Sequence, residues 1–433
     1  MKYRRRNMIN EKFANHPRIK TVGAAGEVKL PENERVSEEL KEKRRKRENI
    51  PFYQPSVHYN SQASKDGIRH FVHGIGDANP LFTDENYAKN SKYGNIIAPG
   101  TYLYTVQWDI LAGIMAGIHG WYVGGDWEWY RPIYAGDEFK CVSIIREMTE
   151  KKGRKTGGGS TYFSYGEKLY INQRNELVGK ERLHTAMAER SASGSAKKDA
   201  GIPKPVYTQQ EWNDFLEMYD NEEVRGNKPR YWEDVQVGDK LGPMIKGPLT
   251  VRDMLGWIMG AGSPFFRAHK IEYDYEARHP KVLEYVKSLG EADVPELVHI
   301  FDEFAKTIGI ERAYDYGSQR MTWYGQLFTN WMGDDGFLYK LSGDLRAFNM
   351  VGDVTFFEGK VTNKYINGDS YCVDIEASAK NQRGEVSMPL HMNTVILPSR
   401  EKGPVVYPNP TTEILQMAAK ARPLAELIKA GIL

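Results

Sequence analysis

Two kinds of apolar pattern recur along the chain. Alternating apolar and polar residues run over Glu138–Ile145 and again over Val354–Val361, each opened by a Gly-Asp pair, Gly136-Asp137 and Gly352-Asp353. That period of two predicts strands with one face buried. Longer apolar runs predict buried helices: one opens at Pro99-Gly100 within the apolar window Ile96–Val123, and the other covers Ser318–Trp331 behind Tyr316-Gly317. Downstream, Asn172-Gln173-Arg174-Asn175-Glu176 returns as Asn381-Gln382-Arg383-Gly384-Glu385, each between alternating segments. The landmarks come in the same order twice, which identifies a duplicated unit.

Each copy reads as helix, turn, long central helix, then several strands ending in a hairpin. An antiparallel sheet that curls around one apolar helix buries the helix on its inner face, the hotdog arrangement. The predicted class is α+β, a double hotdog of two antiparallel sheets, each wrapped around a long central helix, the two forming a pseudo-dimer. The boundaries follow: a charged N-terminal arm over 1–50, a first unit over 51–190, a linker and crossing helix over 191–228, a second unit over 229–400, and a C-terminal tail or helix over 401–433. Ser191 to Lys198 is small and polar, as a linker should be, and Tyr207–Tyr219 predicts the crossing helix. From turn proline to helix-opening glycine there are 20 positions in the first unit (Pro80 to Gly100) and 53 in the second (Pro264 to Gly317). The extra segment, an insertion over 268–313, holds amphipathic-helix patterns at Val282–Val286 and Val298–Phe304, and is placed either as a roof over a binding tunnel or on the outside.

Composition excludes several functions. The 433 residues are 40% hydrophobic and 27% charged with a formal net charge of +2, which gives no global field for nucleic acid or membrane surfaces. The most apolar window is interrupted by Pro99, Asp109 and His119, so it predicts a buried helix and no membrane span. Cys141 and Cys372 stand far apart in no CxxC pattern, and the histidines are scattered. Neither a disulfide framework nor a metal site is indicated, and the expected location is the cytoplasm. No phosphate-loop or dinucleotide motif is present, so no cofactor is expected.

The chemistry concentrates at Gly76-Asp77-Ala78-Asn79-Pro80-Leu81-Phe82. Proline biases Asn79 away from helix and sets a tight turn that presents the Asp77 carboxylate. Gly100 stands where the next helix opens, so its free N–H groups can face developing negative charge, with Thr101 beside it. An acid or base next to a helix N-terminus suits chemistry on a thioester. Asp77 is equally a turn former, and Asn79 first of all holds the turn.

This stretch resembles the overhanging loop and central helix of MaoC-like dehydratases, the R-specific enoyl-CoA hydratases, whose loop reads Gly-Asp-x-Asn-Pro-Leu-His. The match runs from Gly76 to Leu81 and fails at Phe82, where the family has its histidine. The resemblance implies hydration of a 2-enoyl-CoA or dehydration of a 3-hydroxyacyl-CoA, with Asp77, Asn79 and Gly100 catalytic and Phe82, Thr101, Arg131 and His73 around the substrate. His73, four residues before Asp77, is the candidate substitute for the missing imidazole if one helix carries both. Arg131, Arg346 and the basic segment Lys151–Lys155 are candidate partners for the nucleotide phosphates. The second unit has Ala261 and Ser263 where the first has Asp77 and Asn79, with His269 and Asp315 as its nearby polar residues. In two-unit relatives one half keeps the loop while the other holds the acyl chain, which implies a catalytic first half here. The expected partner is an acyl-CoA substrate, with assembly as a homo-oligomer or with another hotdog subunit. The alternatives are thioester hydrolysis, for which Asp109 on the central helix is the candidate, and a non-catalytic acyl-thioester binder or structural subunit.

Overall fold

The alternating segments of both units join one sheet. The computed structural model describes residues 16–18, 36–54, 59–107, 109–110, 118–152, 160–189, 201–279, 282–286 and 288–432. The polar stretch 191–198, the hairpin tip 153–159 and most of 1–35 therefore lie outside the described residues. The strands are β1 (Pro51–Tyr53), β2 (Ile118–Trp129), β3 (Phe139–Lys152), β4 (Ser160–Asn172), β5 (Leu177–Glu189), β6 (Lys240–Lys246), β7 (Phe337–Asp344), β8 (Thr355–Asn367), β9 (Ser370–Asn381), β10 (Val386–Ile396) and β11 (Arg422–Pro423). Their order is β11-β1-β3-β4-β5-β2-β7-β10-β9-β8-β6, and every pair is antiparallel except β1 with β11. The two antiparallel sheets expected of the units are joined edge to edge into one. β2 of the first unit pairs with β7 of the second, Ser342 opposite Asp126, so each unit's edge satisfies the backbone groups of the other.

The duplicated motifs form duplicated latches. Asp137 Oδ1 accepts Arg174 Nη1 at 2.7 Å and Gln173 Nε2 at 3.1 Å, and Asp353 Oδ1 accepts Arg383 Nη1 at 2.7 Å and Gln382 Nε2 at 2.9 Å. The other oxygen of each aspartate accepts a backbone N–H, from Tyr134 at 2.9 Å and from Met350 at 3.1 Å. Asn172 and Asn381 each close their hairpin turn by accepting two backbone N–H groups. The Gly-Asp pairs thus tie the start of β3 or β8 to the turn two strands on.

Helix α1 (Lys65–Ile75) is capped by Ser64, whose Oγ accepts the Gly67 N–H at 3.0 Å, and ends on Gly76 in the left-handed conformation, φ +67°. The crossing helix α2 (Gln209–Asp220) starts on a Thr208/Glu211 capping box and buries Phe215 against Ile245 and Val354. α1 crosses α3 (Val251–Ala261) so closely that a Cβ on Gly74 would lie 2.3 Å from the Gly256 carbonyl oxygen. The insertion contributes α4 (His269–Arg278), and the second unit's helix, α5 (Gly317–Met332), is buried on nearly every side, its polar Gln319, Arg320 and Gln326 included.

Two helical expectations fail. In the first unit a 3-10 turn at Gly100–Tyr102 leads into one helical turn, Leu103–Val106, and Gln107 is already extended, φ −162° and ψ 108°; positions 108 and 111–117 of the expected helix lie outside the described residues. Its carbonyl accepts buried Lys168 Nζ at 3.0 Å, its amide donates to Ser143 Oγ at 2.6 Å, and Lys168 is ion-paired with buried Glu181. Side chains of β3 to β5 thus take up backbone and side-chain groups that a further turn would need. In the insertion, Glu284–Val286 is a strand paired with Glu291–Asp293, and the pattern at Val298–Phe304 begins in a 3-10 turn over Pro295–His299 and becomes α-helix at Asp302–Thr307. Among the described residues no helix is long and apolar enough to cross a membrane.

Candidate functional site

Asp77 follows the left-handed Gly76 directly, and its Oδ1 accepts the Asn79 N–H at 2.9 Å. Asp77 is 7% exposed, and its Oδ2 is buried with no hydrogen-bond partner among the described residues. Burial pushes the carboxyl up to about 6; the Asn79 hydrogen bond and the Lys246 charge pull it down, and Glu222 and Asp334 push it up. Asn79 holds the turn by accepting the Leu81 N–H at 2.9 Å, and donates Nδ2 to Asp334 Oδ1 at 2.9 Å. Asp334 is also taken by Tyr87, whose hydroxyl reaches Oδ2 at 2.6 Å.

Around this turn there is little room. Phe82 is buried, the Trp129 Nε1–H donates to the Gly100 carbonyl at 3.0 Å, and a Cβ on Gly100 would lie 2.7 Å from the indole ring. The cavity that Asn79, Phe82 and Gly100 line holds about 60 Å³, and Asp77 is not in its wall. Thr101 is buried against Gly325 of α5. Arg131 Nη1 donates to the Pro408 carbonyl at 2.9 Å and Nη2 to Asn409 Oδ1 at 3.0 Å, so it fastens the C-terminal segment. His73 does not join Asp77. The helix stops at Ile75, His73 is exposed, and the two share no helical face. Asp109, the hydrolysis candidate, lies beyond the last helical residue, Val106, and so is not on a central helix.

The equivalent place in the second unit is open. A cavity of about 680 Å³ lies at the N-terminus of α5, where Tyr316, the residue before the helix, offers no side-chain cap to the first N–H groups. Its wall combines first-unit residues His119–Val123 and His184 with second-unit residues Phe265, Glu284, Glu296 and His299, and with the stretch after β7. Sequence reasoning gave no site role to Glu296, His299, His119 or Glu284: Glu284 and His299 fell inside segments read as amphipathic helix, and His119 was noted only as a break in the apolar window. His119 Nδ1 meets Glu284 Oε1 at 2.9 Å, both residues being buried. His184 bridges the two units, with Nε2 at 3.0 Å from Asp126 Oδ2 and Nδ1 at 3.4 Å from Asp344 Oδ1. Burial alone would lower the His184 pKa, but the two aspartates outweigh it and raise it to about 9. Asp315 is not available as an acid, because it is locked to buried Arg320. His269 is exposed at the start of α4.

Comparison with known proteins bears on the fold and on residues 58–181. Residues 58–181 match the dehydratase domain region of FAS1-like proteins. A UPF0336 protein of Streptomyces coelicolor is 29% identical over 108 residues, covering 23% of this chain and 71% of its own. A protein of Thermomonospora curvata named a probable enoyl-CoA hydratase alpha subunit is 27% identical over 160 residues, covering 32% of this chain and half of its own length. A solved MaoC-like dehydratase superposes on 81% of this chain and 98% of its own at 16% identity and a TM-score of 0.54. The class is thereby given: a hotdog protein carrying a dehydratase region. Within it, the fold is similar to that of the solved MaoC-like dehydratase.

Proposed function

We propose that the protein is a hydro-lyase of acyl thioesters, adding water to a 2-enoyl-CoA or removing it from a 3-hydroxyacyl-CoA, and that the acyl group occupies the second-unit cavity. The observation that carries this reading is the contrast between the two helix N-termini: about 680 Å³ of space before α5 and about 60 Å³ before Gly100. A volume of several hundred Å³ suits an acyl chain. Uncapped N–H groups at the end of a 16-residue helix suit an oxygen that gains negative charge. The relative named as an enoyl-CoA hydratase subunit supports the reaction class, and its designation as an alpha subunit supports pairing with a further hotdog subunit. The site of action proposed is the cytoplasm.

A second reading keeps proton transfer at the first-unit turn, with Asp77, Asn79 and Gly100 catalytic. It is favoured by the buried, unpaired Oδ2 of Asp77 and the raised carboxyl. The purified full chain, given enoyl-CoA substrates of graded chain length, is expected to remove the enoyl absorbance without releasing free thiol. Thiol release would replace this function with hydrolysis, and binding without turnover would reduce the protein to an acyl-thioester carrier. Leu345→Trp, which narrows the cavity, is expected to raise KM more for long acyl chains than for short ones.

A further inference from the structure

The insertion that the first unit lacks brings a carboxylate into the large cavity. Its 3-10 turn, Pro295–His299, runs along the wall, and three residues per turn set positions i and i+3 on one side. Glu296 and His299 are such a pair, and both line the cavity. Glu296 accepts a hydrogen bond from Ser263 Oγ, which in turn accepts the Phe265 N–H at 3.0 Å. Ser263 is the counterpart of Asn79, and the two turn residues behave alike: each accepts the N–H two residues on and donates to a carboxylate from outside the turn. In the first unit that carboxylate is Asp334, spent on Asn79 and Tyr87; in the second it is Glu296, facing open space. Ala261 leaves this turn without the family's acid, and the insertion brings the Glu296 carboxylate to the same turn.

The other second-unit carboxylates in the wall are engaged by cations or imidazoles. Glu284 meets His119, Asp315 meets Arg320, and Asp344 meets His184 and Arg346. Glu296 is held by Ser263, and the Tyr316 hydroxyl faces it too loosely for an ordinary hydrogen bond. His299 donates Nδ1–H to the Tyr314 carbonyl at 2.8 Å, which leaves Nε2 as an acceptor, and its ring stacks on Tyr316 with centroids 3.9 Å apart. Burial keeps that imidazole neutral, its pKa lowered to about 3.

We infer that Glu296 is the acid–base residue of the second-unit cavity, with Ser263 and His299 as positioning residues and the N-terminus of α5 receiving the thioester oxygen. In hydration the Glu296 carboxylate takes a proton from water as the water oxygen bonds to C3. The C2–C3 π electrons shift toward C1, and the resulting enolate oxygen meets the helix N–H groups. The enolate then collapses as C2 takes the proton from Glu296, which restores the carboxylate and completes addition of one water. Dehydration runs the same steps backwards. Burial holds the Glu296 carboxyl up to about 7, against the pull of Ser263 and Tyr316, so both forms it needs are populated near neutrality.

This assignment rests on the hydro-lyase reading above, and its test separates the two. In the full chain, with an enoyl-CoA that the wild type hydrates, Glu296→Gln is expected to lower kcat at least ~100-fold, within the range for losing a general base, while KM moves less than about threefold. Glu296→Asp should recover at least ~10-fold over the glutamine variant. Ser263→Ala removes a bond that favours the ionised form, so the acidic limb of its kcat profile should move to higher pH, which a merely structural role would not do. A Glu296→Gln enzyme within threefold of wild type, or an unmoved limb in Ser263→Ala, overturns the assignment. Should Asp77→Asn lose the activity in that case, the hydro-lyase reading survives with its site in the first unit. A wild type that hydrates none of the enoyl-CoAs fails the reading itself, and this assignment with it.

Discussion

The paired latches permit a stability test with its own internal control. Asp353 is 1% exposed; its Oδ1 holds Arg383 and Gln382, its Oδ2 holds Arg383 at 3.0 Å and the Met350 N–H, and buried Arg312 lies 3.6 Å away. Asp353→Ala strands Arg312, whose side chain is 6% exposed, beside a methyl group. Removing one partner of a buried ion pair costs about 3–5 kcal/mol, because the remaining charge stays out of water. The same change at Asp137 frees Arg174, whose side chain is 46% exposed and can be hydrated. What is lost there is chiefly the Tyr134 and Gln173 hydrogen bonds, about 1–2 kcal/mol. Urea denaturation of the two variants, compared at a common m-value, should therefore separate them by about 2–3 kcal/mol with Asp353→Ala the weaker. Equal losses, or a larger one at Asp137, would refute the claim that the stranded Arg312 charge sets the difference.

Gly74→Ala places a Cβ 2.3 Å from the Gly256 carbonyl, so α1 and α3 must part; a loss of about 2–4 kcal/mol is expected by thermal unfolding, against little change for Ala at open Gly94 beyond its own backbone strain. His184, with its pKa raised to about 9, stabilises the fold fully below its unfolded value near 6.5. That contribution, on the order of 2–3 kcal/mol, should fade as pH rises from about 6.5 through 9, and His184→Gln should flatten the fall in a pH series of melting curves. Phe82→His restores the family's loop but puts an imidazole in a buried site beside only about 60 Å³ of space. It should cost about 2 kcal/mol and raise the hydration rate no more than about twofold, and a large gain would return the chemistry to the first unit.

How much of this was legible in the sequence depends on how local the deciding forces are. The Gly-Asp and Asn-Gln-Arg landmarks could be read because hydrogen bonds within a turn and between nearby strands fix them, and they recur as matching latches. α5 begins and ends within a residue of the predicted span. The first-unit helix was overread because apolar residues continue past Val106 while buried Lys168, Ser143 and Glu181, far along the chain, decide the conformation of Gln107. Glu296 was missed for a related reason. Pro295-Glu296-Leu297-Val298-His299 has no helical or strand period, and only a 3-10 turn gives the three-residue spacing of Glu296 and His299 its meaning. A signal was present in the unequal spacing of the halves, where ionisable residues fall inside the segment that one copy has and the other lacks.

The strand pairing at Ser342 and Asp126 also ties the fates of the two copies together. One copy lends β2 and β5 to the wall of the large cavity, and the other lends its extra segment. A substitution at His119 or His184 therefore alters a cavity whose other wall is encoded more than a hundred residues away. The duplicates have ceased to be spare parts for one another: each is free to lose what its sibling supplies, and neither can be discarded.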